Sequence, residues 1–131
     1  MRQVPKYLLI GSGRISKHLE FYLKNTGHNL ITWSRKNNTQ TDLLDKIKLA
    51  SHILILISDD AITNFINKYK PQLKNKICIH CSGSLYTKLA FGAHPLNTFS
   101  NNLYDLDTYK KTPFILDNNS PDFSDLFPLI K

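Results

Sequence analysis

Tyr7-Leu8-Leu9-Ile10 runs directly into Gly11-Ser12-Gly13-Arg14-Ile15-Ser16, an apolar stretch feeding a glycine-rich turn. Glycines at this spacing after a strand let the backbone turn sharply and bring its N–H groups close to an anion. The following helix then aims the positive end of its dipole at the same point. Gly11 is expected to permit the tight turn and Gly13 the close approach. The third glycine of the G-x-G-x-x-G pattern, which lets helix and strand pack closely, is here Ser16, small enough to fit with a modest loss of closeness. The chemistry of such a turn is the binding of a dinucleotide pyrophosphate.

About twenty residues on, a second apolar run, Asn29-Leu30-Ile31-Thr32-Trp33, ends in Ser34-Arg35-Lys36. The tip of this second strand ordinarily carries an Asp or Glu that accepts from the adenosine ribose 2′-hydroxyl and would repel a 2′-phosphate. No acid stands there. Ser34 offers a hydroxyl, Arg35 a planar fork matched to phosphate, and Lys36 a further positive charge, so the site is expected to favour NADP(H) over NAD(H). The plainer alternative is that Ser-Arg-Lys opens an ordinary solvated turn, since Asn37-Asn38-Thr39 follow.

The apolar period alternates between strand and helix along the chain, which is what positions these residues. Gly13 to Asn25 places Ile15, Leu19, Tyr22 and Leu23 on one helical face, and Thr26-Gly27 closes that helix. Gln40 to Ala50 predicts a shorter helix with Leu43, Leu44, Ile47 and Ala50 inward. His52 to Ile57 is an unbroken apolar strand of the kind buried on both faces of a parallel sheet. Ser58-Asp59-Asp60 then offers acids to cap a helix from Ala61 to Lys70, Pro71 stops it, and Ile77 to His80 makes the next strand. Thr112-Pro113-Phe114-Ile115-Leu116 reads as a last strand. The order predicts right-handed crossovers in an open, mostly parallel Rossmann-type α/β sheet with helices on both faces and a ligand groove at the strands' carboxyl ends.

At 131 residues the chain is read as one domain spanning 1–131, large enough to bury a core without metals or disulfides. The longest unbroken apolar stretch is far short of the ~20 residues a membrane helix needs, so no membrane is expected and a cytoplasmic location is inferred. The net charge of +7 raises nucleic acid as a partner, but residues 1–58 hold nine Lys and Arg against three acids, and residues 59–131 eight against seven. The surplus lies in the half that would cradle a phosphate-rich cofactor, with no run of more than two basic residues, which argues against nucleic acid. Cys78-Ile79-His80-Cys81 superficially offers a CxxC, but in a strand residues three apart point to opposite faces, so neither a metal nor a disulfide is expected.

Three later segments carry a family resemblance: Ser58-Asp59-Asp60-Ala61-Ile62, His80-Cys81-Ser82-Gly83-Ser84, and Gly92-Ala93-His94-Pro95-Leu96-Asn97-Thr98-Phe99. In this order they resemble the NADP-dependent oxidoreductases of the 6-phosphogluconate dehydrogenase-like superfamily, related to pyrroline-5-carboxylate reductase and ketopantoate reductase. The resemblance spans Lys6 to about Asp117. It implies that Gly11, Ser12, Gly13, Arg14 and Ile15 hold the pyrophosphate, Ser34, Arg35 and Lys36 the 2′-phosphate, and Ser58, Asp59 and Ile62 the nicotinamide-side ribose region. Ser82 and Gly83 resemble an element that holds a substrate carboxylate, and His94 would line the same pocket. On that basis Ser82 and His94 are the candidate catalytic residues. Each has a structural alternative: Asp59 and Asp60 as helix caps, Ser82-Gly83 as a plain turn, and His94 as a hydrogen-bonded loop histidine in the extended backbone that precedes Pro95.

The superfamily's second, mainly helical domain, which completes the substrate pocket and the dimer, would begin just past residue 116 and is expected to be missing here. The apolar residues Phe123, Leu126, Phe127, Leu129 and Ile130 read as a surface that such a domain, or a homodimer partner, would cover. The expected activity is NADPH-dependent reduction of a small anionic oxo acid, ketopantoate first. The alternatives are a noncatalytic NADP(H)-sensing or scaffold domain, and an SAM- or FAD-binding variant, disfavoured because no acid follows the second strand.

Overall fold

The computed structural model describes residues 4–124, 126 and 127. In chain order the elements are β1 (Lys6–Ile10), α1 (Arg14–Lys24), β2 (Asn29–Trp33), α2 (Gln40–Leu49), β3 (His52–Ile55), α3 (Asp59–Lys68), α4 (Lys70–Leu73), β4 (Ile77–His80), β5 (Phe91–Pro95), α5 (Leu106–Lys110) and β6 (Phe114–Leu116). The strands form one sheet in the order β2-β1-β3-β4-β5-β6. The first five run parallel, and β6 closes the edge antiparallel to β5, pairing Ala93 with Leu116 and Pro95 with Phe114. Because β2 lies on one side of β1 and β3 on the other, the strand order reverses between β1 and β3, and a crevice opens there at the carboxyl ends.

Strand pleating sends alternate residues to two separate cores. Tyr7, Leu9, Leu54, Ile79 and Ala93 meet Leu19, Tyr22 and Leu23 of α1 and Tyr109 of α5. Leu8, Ile10, Ile53, Ile55 and Cys78 meet Leu43 and Ile47 of α2, Ile62 and Ile66 of α3 and Leu73 of α4. The result is the expected three-layer α/β sheet. Leu8, Ile53, Leu54 and Ile55 have no exposure at all, each burial worth roughly 1.5–3 kcal/mol, so β1 and β3 fix the switch point rigidly. Cys78 faces the second core while Cys81 packs on the first, the opposed placement the strand pattern predicts.

Several boundaries shift from expectation. Strand β3 ends at Ile55, two residues early, although Leu56 still donates its N–H to the Ile10 carbonyl of β1. Pro71 does not stop α3, which ends at Lys68; it sits in the first turn of α4, where its missing N–H costs nothing. Strand β5 and helix α5 were not anticipated. The apolar tail is also corrected: Phe123, Leu126 and Phe127 are core residues of this fold, with Phe127 stacked on Phe114 at 4.3 Å and Phe123 edge-on to Phe91. Leu129 and Ile130 lie outside the described residues. Among the described residues, no helix is long and apolar enough to cross a membrane.

Candidate functional site

The glycine turn joins β1 to α1 at the switch point. Gly11 has φ +142°, and a Cβ on it would lie 2.3 Å from the Leu56 carbonyl oxygen and 2.4 Å from Ser16 Oγ, so no side chain fits. Ser16, in the third-glycine position, is buried, and its hydroxyl donates to that same carbonyl at 3.2 Å. The substitution thus ties the helix to the end of β3 instead of opening a gap. Gly13 is the N-cap of α1, with no side-chain cap, no acid in the first turn, and nothing within 4 Å of where a Cβ would stand. The N–H groups that begin α1 therefore have no side-chain cap, and the space beside Gly13 is open.

That space is a groove of about 750 Å³ running over the ends of β1, β2 and β3. Gly11, Ser12, Gly13 and Ile15 line it, as do Ser34, Arg35, Lys36 and Ser58. Among the described residues its charged lining is Arg35, Lys36 and Lys68, with no carboxylate. Trp33, Ile57, Phe65 and Tyr69 supply apolar wall.

The loop carrying Arg35 and Lys36 is held from behind. Ser34 N–H donates to Asn38 Oδ1 at 3.0 Å, and the N–H groups of Asn37 and Asn38 donate to the Ser34 carbonyl. Trp33 Nε1 donates to the Thr39 carbonyl at 2.8 Å, and Thr39 exchanges side-chain and backbone bonds with Asp42 to cap α2. Those bonds hold the Asp42 carboxyl below its ordinary value. Asn37-Asn38-Thr39 is thus the anchor of the loop, and Arg35 and Lys36 project from it exposed, paired with no described carboxylate.

Other expected groove residues are placed differently. Arg14 is exposed at the first position of α1 and is not a groove-lining residue. Ile62 is 1 % exposed inside the second core, so it cannot touch a ribose; helical spacing from Ser58 carries it under the sheet face. Asp59 reaches away from the groove: its Oδ2 accepts from Ser82 Oγ at 2.8 Å and from Ser84 Oγ at 3.4 Å.

Those bonds mark the rim of a second recess, about 250 Å³, over the β5–β6 edge. It brings together Ser82, Gly83 and His94 with Ser84, Gly92 and Asp117. His94 belongs to β5, not to a loop, and the strand fixes it opposite Ile115 of β6. Gly83 lies against its ring so closely that a Cβ would fall 2.8 Å from Cε1 and 2.9 Å from both nitrogens. Ser82 Oγ accepts from the N–H groups of Ser84 and Leu85, which shapes the turn after β4.

Two residues of this region were missed. His80, the last residue of β4, has no exposure, accepts the Ser82 N–H on Nδ1 at 3.2 Å, and leaves Nε2 without a partner. Burial lowers its pKa from the ordinary 6.5, while Asp117 and Asp59 pull the other way. Asp117, just past β6, accepts the Gly92 N–H on Oδ2 at 2.7 Å. A histidine ending the apolar run Ile77-Cys78-Ile79 was the available signal for the first. The second had none without the β5–β6 pairing. Among the described residues no group of three or more His, Cys, Asp or Glu could hold a metal ion. Burial pushes the Cys78 thiol up to about 11 and Cys81 up to about 12.

No family model and no curated protein matches this chain. Solved structures do. Pyrroline carboxylate reductase from Plasmodium falciparum, with NADP bound, is similar at 18 % identity and TM-score 0.72, over 97 % of this chain and 56 % of that one. A reductive aminase from Aspergillus terreus in complex with NADPH and ethyl levulinate is similar at 13 % identity and TM-score 0.69, over 98 % and 54 %. An imine reductase from Myxococcus stipitatus with NADP+ follows at 14 % identity and TM-score 0.64, over 86 % and 46 %. The chain spans about half the length of these structures. The likeness establishes the fold: this chain is built as an open Rossmann-like α/β sheet with helices on both faces.

Proposed function

We propose that this chain binds NADP(H) in the groove at the β1–β3 switch point and forms the cofactor-binding half of a reductase for a small carbonyl or imine substrate. The observation that carries this reading is the composition of the groove: an uncapped glycine turn at one end, Arg35, Lys36 and Lys68 along it, and no carboxylate among its described lining residues. Such a surface repels no phosphate and offers both backbone and side-chain donors to one. Gly11, Ser12, Gly13 and Ile15 would hold the pyrophosphate, and Ser34, Arg35 and Lys36 the 2′-phosphate. Ser58 would serve the nicotinamide-side ribose. Arg14 at the mouth of the turn contributes charge rather than contact.

When bound, NADPH supplies the hydride that reduces the substrate's carbon. The chain's own residues then have three tasks: to bind the substrate beside the groove, to exclude water, and to hold the proton its heteroatom takes up. Ser82 and His94 are the groups we assign to the last task, since both line the recess, and Ser82 donates its hydroxyl to Asp59, the residue that follows groove-lining Ser58. Ketopantoate was the first substrate expected. The names carried by the similar structures shift the weight toward a C=N substrate. A helical second domain, of the kind that would account for the remaining length of those structures, is proposed to complete the pocket.

The test is a pair of measurements on one preparation. Residues 1–131 should bind NADPH yet turn over ketopantoate or a cyclic imine far below an enzyme's usual rate. A chain extended by a helical domain should recover turnover, and His94→Ala in that longer form should reduce it. Full activity from residues 1–131 alone would refute the division of labour.

A further inference from the structure

Gly83 is a glycine that its own backbone does not require. Among the described glycines only Gly11 and Gly27 have a positive φ, so an L side chain at Gly83 would meet no strain of that kind. What excludes a side chain is the His94 ring: a Cβ would lie 2.8 Å from its Cε1 and 2.9 Å from each of Nδ1 and Nε2. A point in the plane of an imidazole, out beyond Cε1, is clearly closer to that carbon than to the nitrogens. Near-equal distances to all three atoms therefore place the missing Cβ over the face of the ring. The imidazole lies flat against the backbone at Gly83, an approach that a residue without a Cβ allows.

Both sides of this contact are held. Ser82 N–H donates to His80 Nδ1 at 3.2 Å, its hydroxyl donates to Asp59 Oδ2 at 2.8 Å, and its Oγ accepts from the N–H groups of Ser84 at 3.3 Å and Leu85 at 3.1 Å, which fixes the turn that carries Gly83. On the other side, the sheet fixes His94 between β4 and β6, two residues past the His80–Gly92 pair and opposite Ile115. The ring's two nitrogens are not equivalent. Nδ1 is buried without a partner, and His94 lines the recess, so Nε2 is the nitrogen left to reach it. A buried N–H without an acceptor is rarer and costlier than an under-used acceptor, so the proton of the neutral ring belongs on Nε2.

We infer that Gly83 is the positioning residue of His94: it lets the ring lie on the turn after β4 with a bare Nδ1 inward and Nε2–H toward the recess, where that N–H donates to a lone pair of a bound molecule. For its place in a reaction this rests on the reductase reading, and it deepens that reading by naming the atom that holds the proton. A neutral imidazole N–H fixed in place strengthens its hydrogen bond as charge gathers on the substrate's heteroatom, with no reorganisation of the ring at that moment. A ring free to turn about its Cβ–Cγ bond would present Nε2–H only part of the time. Gly83 thus acts through His94 and not by contact with a substrate carboxylate.

The experiment has two arms, both on residues 1–131. Long-range ¹H–¹⁵N correlation of the histidine rings in ¹⁵N-labelled protein, in mildly alkaline buffer, reads the tautomer of His94, whose signals are assigned by their loss in His94→Ala. The parent should show a bare Nδ1 and a protonated Nε2 in a single ring environment, and Gly83→Ala should shift both signals and mix in the other tautomer. The second arm is a cycle of urea midpoints for the parent, Gly83→Ala, His94→Ala and the double variant. Gly83→Ala should lower the midpoint of the parent and leave it nearly unchanged once His94 is alanine, because the three atoms nearest a Cβ there all belong to that ring. A proton on Nδ1 in the parent, ring signals untouched by Gly83→Ala, or an equal loss of midpoint in both backgrounds would each overturn the inference. None of these readings uses NADPH; a titration of the same samples followed at Gly13 and Trp33 shows separately whether the cofactor reading fails.

Discussion

Removing the positive charge at the tip of β2 should convert a phosphate-selective groove into an indifferent one. The double variant Arg35→Ala/Lys36→Ala leaves the loop's anchors intact, since Asn38, Trp33 Nε1 and the Thr39–Asp42 cap do not involve either side chain. A charge-assisted hydrogen bond is worth roughly 1.5–3 kcal/mol when sheltered. Both side chains are exposed, so screening reduces each contact to about 1 kcal/mol, or ~2 kcal/mol together. At ~1.4 kcal/mol per decade, NADPH affinity should fall roughly 30-fold. NADH, which lacks the 2′-phosphate, should lose less than about threefold. Trp33 lines the groove, so its fluorescence can report both titrations directly, with calorimetry as a check. The preference for NADPH should also shrink as salt rises from 0.05 to about 0.5 M, because exposed pairs are screened over ~10 Å or less. Equal losses for the two cofactors, or a preference indifferent to salt, would refute the assignment of the 2′-phosphate to this loop.

The remaining predictions concern the turn, the buried histidine and the thiols. Gly13→Val should abolish NADPH binding yet keep the fold, because a Cβ there meets no protein atom within 4 Å; normal binding would make the turn merely structural. Gly11→Ala should do the reverse first, losing roughly 2 kcal/mol or more and about 5–10 °C in Tm, from φ +142° and a Cβ 2.3 Å from the Leu56 carbonyl oxygen. His80 has its pKa depressed by burial below 6.5, so the unfolded chain binds its proton more readily, and stability should be level above about pH 6.5 and fall as pH drops below it. His80→Asn, whose amide oxygen can replace Nδ1, should flatten that fall in urea titrations. His52, also lowered by burial, contributes in the same direction and should leave a residual slope. With thiols raised to about 11 and about 12, buried Cys78 and half-buried Cys81 should resist iodoacetamide at pH 7.5 until the chain is unfolded, and rapid labelling of the native protein would contradict the raised thiols.

The first three βα units were legible because each carries a local signal: a largely apolar strand, a turn of Gly, Ser, Asn or Asp, and a helix of 3.6 period. The β5 strand was not, since Phe91-Gly92-Ala93-His94-Pro95 is short, polar in part and ends in proline, and only pairing with β4 and β6 makes it a strand. Phe123, Leu126 and Phe127 showed no period that could distinguish a core segment from an uncovered surface. Their burial depends on Phe114 and Phe91 arriving beside them. Within the site, the glycine turn and the Ser34–Lys36 tip were readable from residue type and spacing. Ile62 was misplaced because a motif records order and not the direction a helical side chain faces. His80 and Asp117 escaped notice because their meeting across Gly92 joins residues 37 apart in sequence.

Amide shifts of ¹⁵N-labelled protein on adding NADPH show whether the groove between the Gly11–Gly13 turn and the Ser34–Lys36 loop takes the cofactor. Saturable changes are expected at Ser12, Gly13, Ser34, Arg35, Lys36 and Ser58, with NADH giving the same pattern more weakly at the 34–36 loop. Shifts confined to other surfaces, or none at millimolar NADPH, would contradict the groove's assignment to NADP(H).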